Sequence, residues 1–325
     1  MTCTNNLKQI GLSLHNYHDA CKAFPSRQLS FKTTSRVGVY GVTLVLLPYC
    51  EQTGLYDSIP DANGNWPDMW NDQGSAHIAW RTRVPYLICP SDNAPNNSSA
   101  RNNGPLNYCF CSGDTAINGD HIVRGLFGGY HGDNGGQMVF NSFGSVPDGS
   151  SNTIAVSEMV VPRTANGRGN VGLAPTLSSD AWGLQSPGAP VDFMLLYDKQ
   201  AGEYIENHRV TYHDNRWRAT MWYGGSNGLM AFATVLPPNN GSFTTGNDPR
   251  GHVGLMTSSS NHTGGVNALL LDGSVQFISE TVSTGSGTGQ GLSIPLPTNA
   301  GGPRRSPYGV WGGLGTINGG ESVSL

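Results

Sequence analysis

The segment from Asn261 to Ser279 leaves the chain few ways to fold. Its core reads Val266-Asn267-Ala268-Leu269-Leu270-Leu271-Asp272-Gly273-Ser274-Val275-Gln276-Phe277-Ile278-Ser279. Two apolar runs flank Asp272-Gly273, a dipeptide that accepts the positive φ angles of a two-residue type I′ turn. Folding there sets Leu270 opposite Val275 and Ala268 opposite Phe277 on one face. Leu269 then faces Gln276, and Leu271 faces Ser274, on the other. One face is apolar and the other mixed, as in a sheet covered on one side. A hairpin over 266–279 is therefore expected.

At 325 residues the chain is long enough for a large core, in one β-rich domain or two smaller ones. Charged residues make up only 12% of it, against roughly 25% in an average soluble protein. With 45 glycines, frequent Asn and Ser, 12 Tyr and 7 Trp, this composition suits loop-rich β structure outside the cytoplasm. The net charge of −4 and the pI near 6.1 argue against a nucleic-acid surface, and no basic run is present. No segment is apolar for long enough to cross a bilayer. Gly41–Leu47 is the most apolar run and has the length of a buried strand. There is no signal-peptide pattern.

From Asn5 to His18, Leu7, Ile10, Leu14 and Tyr17 recur at helical spacing along one stripe, and Phe24-Pro25 ends the pattern. Strands are expected over 37–50, closed by Pro48, and over 84–89, 107–112 and 154–161. The stretch 163–260 is the least patterned, with strands expected at 191–197, 208–212, 217–222 and 228–235.

Six cysteines stand at positions 3, 21, 50, 89, 109 and 111. An even number in a surface protein favours disulfides over free thiols, and the pairings stay open. Zinc ranks last, because only Cys109-Phe110-Cys111 places two cysteines close together. Loops around Asp133, Asp148 and Asp248 carry the oxygen-rich composition that calcium uses, with Asp133 and Asp148 the foremost candidates, but none has EF-hand spacing. His262 and Asp272 make a tempting metal or acid–base couple. The intervening strand, about 17 Å long, places them at opposite ends of the hairpin instead. Asp272 and Gly273 then read as turn residues, and His262 as a loop residue bonded to a carbonyl or a neighbouring strand. Neither a G-x-S-x-G elbow nor an H-E-x-x-H pair occurs, so a hydrolase has no specific support. Trp and Tyr residues near 66–80 and 217–223 offer platforms for sugar rings, or core packing.

His262, nine residues and then Asp272-Gly273 resemble the H-x9-DG signature of a pilin-like family abundant in planctomycetes, whose members begin with a prepilin-type membrane helix. Further pieces recur in the same order. Cys3 to Asp19 with Phe24-Pro25 resembles the segment that follows the membrane helix. Leu47-Pro48-Tyr49 with Glu51-Gln52, Cys89-Pro90-Ser91-Asp92 and Asp148-Gly149-Ser150-Ser151-Asn152-Thr153 come next. Leu314-Gly315-Thr316 with Gly319-Gly320-Glu321 closes the set.

The resemblance implies an α+β fold. Residues 1–24 would be the downstream part of a pilin-like helix packed on an antiparallel sheet. Residues 25–325 would form a β-rich head that includes the hairpin, with an insertion over 90–260. It implies a non-enzymatic subunit of a cell-surface or secretion-type filament, without cofactor apart from the calcium candidates. Its partner would be its own kind, with Leu7, Ile10, Leu14 and Tyr17 packing between subunits and His262, Asp272 and Gly273 serving structure. A membrane helix upstream of Met1 would hold the protein in the inner membrane before assembly at the cell surface. The alternatives are a monomeric carbohydrate-binding or adhesive module and, behind it, a hydrolase.

Overall fold

The apolar stripe of the first segment builds helix α1 (Thr2–Cys21), longer than its periodic core. Leu7, Ile10 and Leu14 are buried, while Asn5, Lys8, Gln9, Leu12 and Asn16 face outward. Lys22, in the left-handed region with φ 60°, stops the helix, and Phe24 turns back into the core. The computed structural model describes residues 2–33, 37–67, 77–92, 103–115, 124–128, 138–164, 167–173, 193–205, 218–244, 254–285 and 305–320.

The strands are β1 (Gln28–Lys32), β2 (Val37–Gly41), β3 (Tyr108–Cys111), β4 (Ile154–Glu158), β5 (Val171–Leu173), β6 (Tyr197–Asp198), β7 (Glu203–Tyr204), β8 (Ala231–Phe232), β9 (Ser242–Thr244), β10 (Gly254–Leu255), β11 (Gly265–Leu270) and β12 (Val275–Ser279). Five of them form the central sheet in the order β12-β11-β4-β3-β8, antiparallel except for the parallel β3–β8 pair. Smaller sheets pair β1 with β2, β6 with β7, and β5 with β9 and β10. The fold is α+β. β3, β4 and β8, three of the five central strands, all lie between residues 90 and 260.

β3 and β4 are buried along their whole length, so both faces of the sheet are covered. Side chains alternate between faces. Pairing of Val156 with Leu269 and of Phe110 with Val156 aligns Tyr108, Phe110, Val156, Glu158, Asn267 and Leu269 on one face. α1 covers that face. A Cβ on Gly11 would lie only 3.0 Å from the Leu269 side chain, so a glycine there lets the helix approach the sheet closely. On the opposite face the Cys111 thiol donates to the Gly315 carbonyl of the helix Gly309–Gly315, which buries Trp311 and Leu314. Phe193, Tyr197, Tyr204 and Phe243 build a separate aromatic cluster with Leu236 and Leu255.

The hairpin forms, but its register differs from expectation by one residue. Leu269 pairs with Val275, Ala268 with Gln276 and Asn267 with Phe277. The Gly273 N–H donates to the Leu270 carbonyl and the Leu270 N–H to the Ser274 carbonyl, which encloses a three-residue loop. Gly273 takes the left-handed position with φ 88°, as in a type I turn followed by a bulge. The reason lies in Leu271, which is buried and donates its N–H to the Thr153 carbonyl. Holding Leu271 inward makes it a loop residue, and the slip moves Phe277 to the α1 face opposite Asn267, on the edge strand, where it is 52% exposed.

Other expected elements change for similar reasons. The strand over 37–50 ends at Gly41, and the chain continues as the helix Val42–Leu46 and a 3-10 turn Leu47–Cys50. A Cβ on Gly41 would fall 2.3 Å from the end of the Met230 side chain, so a larger residue at this bend would displace that methionine. Residues 84–89 contain a 3-10 turn over Pro85–Leu87 in place of a strand. The expected strand at 228–235 starts as a helical turn, Asn227–Met230, and becomes β8. At 191–197 the strand begins only with Tyr197, and 218–222 is irregular. Residues 208–212 lie outside the described ones. Among the described residues, no helix is long and apolar enough to cross a membrane.

Candidate functional site: a cysteine, glutamate and histidine cluster

At one end of the central sheet, under the first turn of α1, four chemically active side chains meet. Cys3 on α1 is joined by a disulfide to Cys89, in the segment after the Pro85–Leu87 turn. Glu158, the last residue of β4, points to the same place because alternation puts it on the α1 face. His262 arrives from the loop before β11, where its own N–H donates to Ser260 Oγ at 3.0 Å. His262 Nε2 lies 3.1 Å from Glu158 Oε1 and 3.8 Å from Cys89 Sγ, which is 3.9 Å from the same carboxylate oxygen. The Glu158 side chain is only 2% exposed, against 26% for His262. His262 is thus the cluster's side toward solvent.

Glu158 is held firmly. The Asn267 N–H donates to Oε2 at 2.7 Å and the Asn267 side-chain amide to Oε1 at 3.0 Å. Burial pushes the Glu158 carboxyl above its ordinary value, and the bonds from Asn267 and His262 pull the other way. Asp92 braces the same end. Its Oδ2 accepts from the Asn107 amide at 2.6 Å and from the Val161 N–H at 2.8 Å, and its Oδ1 accepts from the Asn261 amide at 3.2 Å. One carboxylate therefore fixes the Cys89 loop, the approach to β3, the exit of β4 and the histidine loop.

At the other end of β11, the Asp272 N–H donates to the Ser150 carbonyl and Asp272 Oδ1 accepts from the Ser274 N–H at 2.8 Å. Both residues Asp272 and Gly273 thus belong to the turn, one strand length away from His262. His262 bonds a neighbouring strand through Glu158, a partner outside the sequence expectations. Asp148 is corrected as a calcium candidate. Its Oδ2 accepts from the Gly319 N–H at 2.6 Å and its Oδ1 from the Gly320 N–H at 2.8 Å, so protein donors occupy the directions a cation would need. Asp133 lies outside the described residues, as do Asp248 and Trp217.

Leu7, Ile10 and Leu14, expected to pack between subunits, are buried in the chain's own core. That expectation is corrected: the sheet of the same chain takes up the stripe. Tyr17 is partly buried, its ring edge-on to Tyr49 with centroids 5.6 Å apart. Trp66, Trp80, Trp222 and Trp311 are all buried, so none offers a face to a sugar. Cys21, Cys50, Cys109 and Cys111 are free thiols. Burial pushes the thiols of Cys109 and Cys111 up to about 12, which leaves them unreactive.

Sequence reasoning did not connect Glu158 with His262, and it missed Asn267 and the Cys3–Cys89 pairing. One signal was available: Glu158 is a lone charge within Ile154-Ala155-Val156-Ser157-Glu158-Met159-Val160-Val161, an otherwise mostly apolar run.

A helix laid on a largely antiparallel sheet, its first turn joined by a disulfide to the segment after the Pro85–Leu87 turn, defines an α+β fold with a buried polar cluster at the root of its first helix. The chain belongs to the family described as Protein of unknown function (DUF1559), whose model matches residues 1–285. No curated protein and no solved structure matches it.

Proposed function

We propose that this chain is the head of a pilin- or pseudopilin-like structural subunit, which acts by polymerising at the cell surface and not by catalysis. The observation that carries this reading is the way α1 is fixed. An amphipathic helix lies on an antiparallel sheet with its apolar stripe inward, and a disulfide ties its first turn to the body. In a filament, the upstream helix would transmit load into α1 at that point, and a covalent tie there resists peeling of the helix from the sheet. Contacts between subunits would come from the polar outer face of α1, where Leu12 is 63% exposed, and from upstream residues. Among the described residues, the burial of all four tryptophans gives a sugar-binding groove no support. The order of sequence motifs shared with pilin-like proteins favours the filament reading.

Electron cryo-microscopy of native cell-surface material is the direct test. The expected image is a helical polymer into which this head fits, with α1 continuing upstream toward the filament axis. Only dispersed monomers, or a filament that cannot accommodate the head, would refute the proposal.

A further inference from the structure

The cluster at the root of α1 has more chemistry than a disulfide requires. Two sulfur atoms joined to each other need neither a carboxylate nor an imidazole beside them. Yet Glu158 is brought into the interior and held by two bonds from Asn267. Sγ of Cys3, Sγ of Cys89, a Glu158 oxygen and a His262 nitrogen all lie within 4.8 Å of one another.

We propose that, once the Cys3–Cys89 bond is reduced, these four side chains form a closed zinc-type site that holds α1 to the sheet in place of the disulfide. The distances suit it. Zn–S bonds of about 2.3 Å and Zn–N or Zn–O bonds of about 2.0–2.2 Å place tetrahedral ligands roughly 3.3–3.8 Å apart. The separations from Cys89 Sγ to His262 Nε2 and to Glu158 Oε1 are 3.8 and 3.9 Å, and that from His262 to Glu158 is 3.1 Å. Cys3 Sγ has to part from Cys89 Sγ and settle beside the other two ligands, all within 4.8 Å, and Cys3, in the first helical turn, can move without disturbing a strand. Two thiolates, an imidazole and a carboxylate suit a borderline-soft divalent ion and not calcium. Asn267, donating to Glu158, supplies the outer bonds that orient a metal-binding carboxylate. His262, the partly exposed member, gives the ion its way in.

The chemistry balances. A dithiol reductant transfers two electrons and two protons to the Cys3–Cys89 bond and becomes a disulfide itself, leaving two thiols. Zinc then displaces one proton from each thiol, and both protons pass to solvent. A disulfide oxidant reverses the sequence: it accepts two electrons from the two thiolates and two protons from solvent to become a dithiol, the Cys3–Cys89 bond re-forms and the ion is released. The inference is independent of the filament reading, since it concerns this cluster alone.

The test uses the intact chain, reduced with a dithiol, desalted without oxygen and titrated with zinc or cobalt(II). The reduced protein is expected to retain one equivalent of zinc through a second desalting, and the oxidised protein none. Cobalt(II) should produce a thiolate charge-transfer band, and zinc should shield Cys3 and Cys89 from alkylation, as read by peptide mass spectrometry. His262→Ala and Glu158→Gln should lose the retained equivalent, while Cys109→Ser should keep it. Circular dichroism of each reduced variant separates lost binding from lost folding. The proposal is overturned if the reduced, folded protein retains no zinc, if the oxidised form binds it equally, or if His262→Ala and Cys3→Ser leave retention unchanged. A reduced chain that unfolds and does not refold with zinc overturns it as well.

Discussion

Asp148 shows how much one carboxylate can organise. It accepts two backbone N–H groups from Gly319 and Gly320 and a hydroxyl from Thr316, tying the last described segment to the turn that opens β4. Hydrogen bonds to a charged acceptor contribute about 1.5–3 kcal/mol each when buried and less when half-exposed. Asp148→Ala is therefore expected to cost about 1–2 kcal/mol in urea denaturation, and to speed amide exchange over 316–320 well before the strands are affected. Equal exchange in the two proteins would contradict that role. The sequence pointed to Asp148 but suggested the wrong partner, because Asp-Gly looks alike whether its oxygens meet a cation or a peptide N–H. Glu158 and His262 were harder still to connect. They are 104 residues apart, and only the pairing of β3, β4 and β11 brings them together.

For the separate elements, periodicity served well where one face decides the outcome. The stripe of α1 was readable because Leu7, Ile10 and Leu14 are buried and their neighbours are not. Leu7→Ala should cost about 2–4 kcal/mol by leaving a cavity under the helix, whereas Leu12→Ala, on the outer face, should stay within about 0.5 kcal/mol. Equal effects in thermal melts would argue against this placement of α1. The hairpin was readable in its extent but not its register, because both a two-residue and a three-residue loop accept Asp272-Gly273. A tertiary contact, the Leu271 N–H to the Thr153 carbonyl, selects between them. Residues 37–50 were misread because 39–44 are buried without a break, and an apolar run without alternation has no period to distinguish strand from helix.

Across the whole molecule, the disulfide closes a loop between residues 86 apart in sequence. Restricting an unfolded chain over that span stabilises the fold by about 3–5 kcal/mol on chain-entropy grounds. Reduction in the presence of a strong chelator should accordingly lower the unfolding midpoint, and Cys3→Ser with Cys89→Ser should reproduce the loss. A chelated, reduced protein that melts with the oxidised one would remove the disulfide from the stability of this fold. The arrangement of the central sheet was not legible in the sequence. Short strands from residues 108 to 279, separated by long unpatterned stretches, carry no local sign of which strands become neighbours.

The position of β11 also sets an order in time. α1 leaves the ribosome well before the strand lying against its Gly11, which begins at Gly265, about 240 residues later. At ordinary rates of synthesis that interval is on the order of 10–50 s. Throughout it, Leu7, Ile10 and Leu14 lack their partner on β11, so the growing chain carries the apolar stripe of α1 covered only by the segments over 42–50 and 85–87 until β11 follows. A tie from Cys3 to Cys89, 86 residues on, would anchor the first turn of that helix long before β11 arrives.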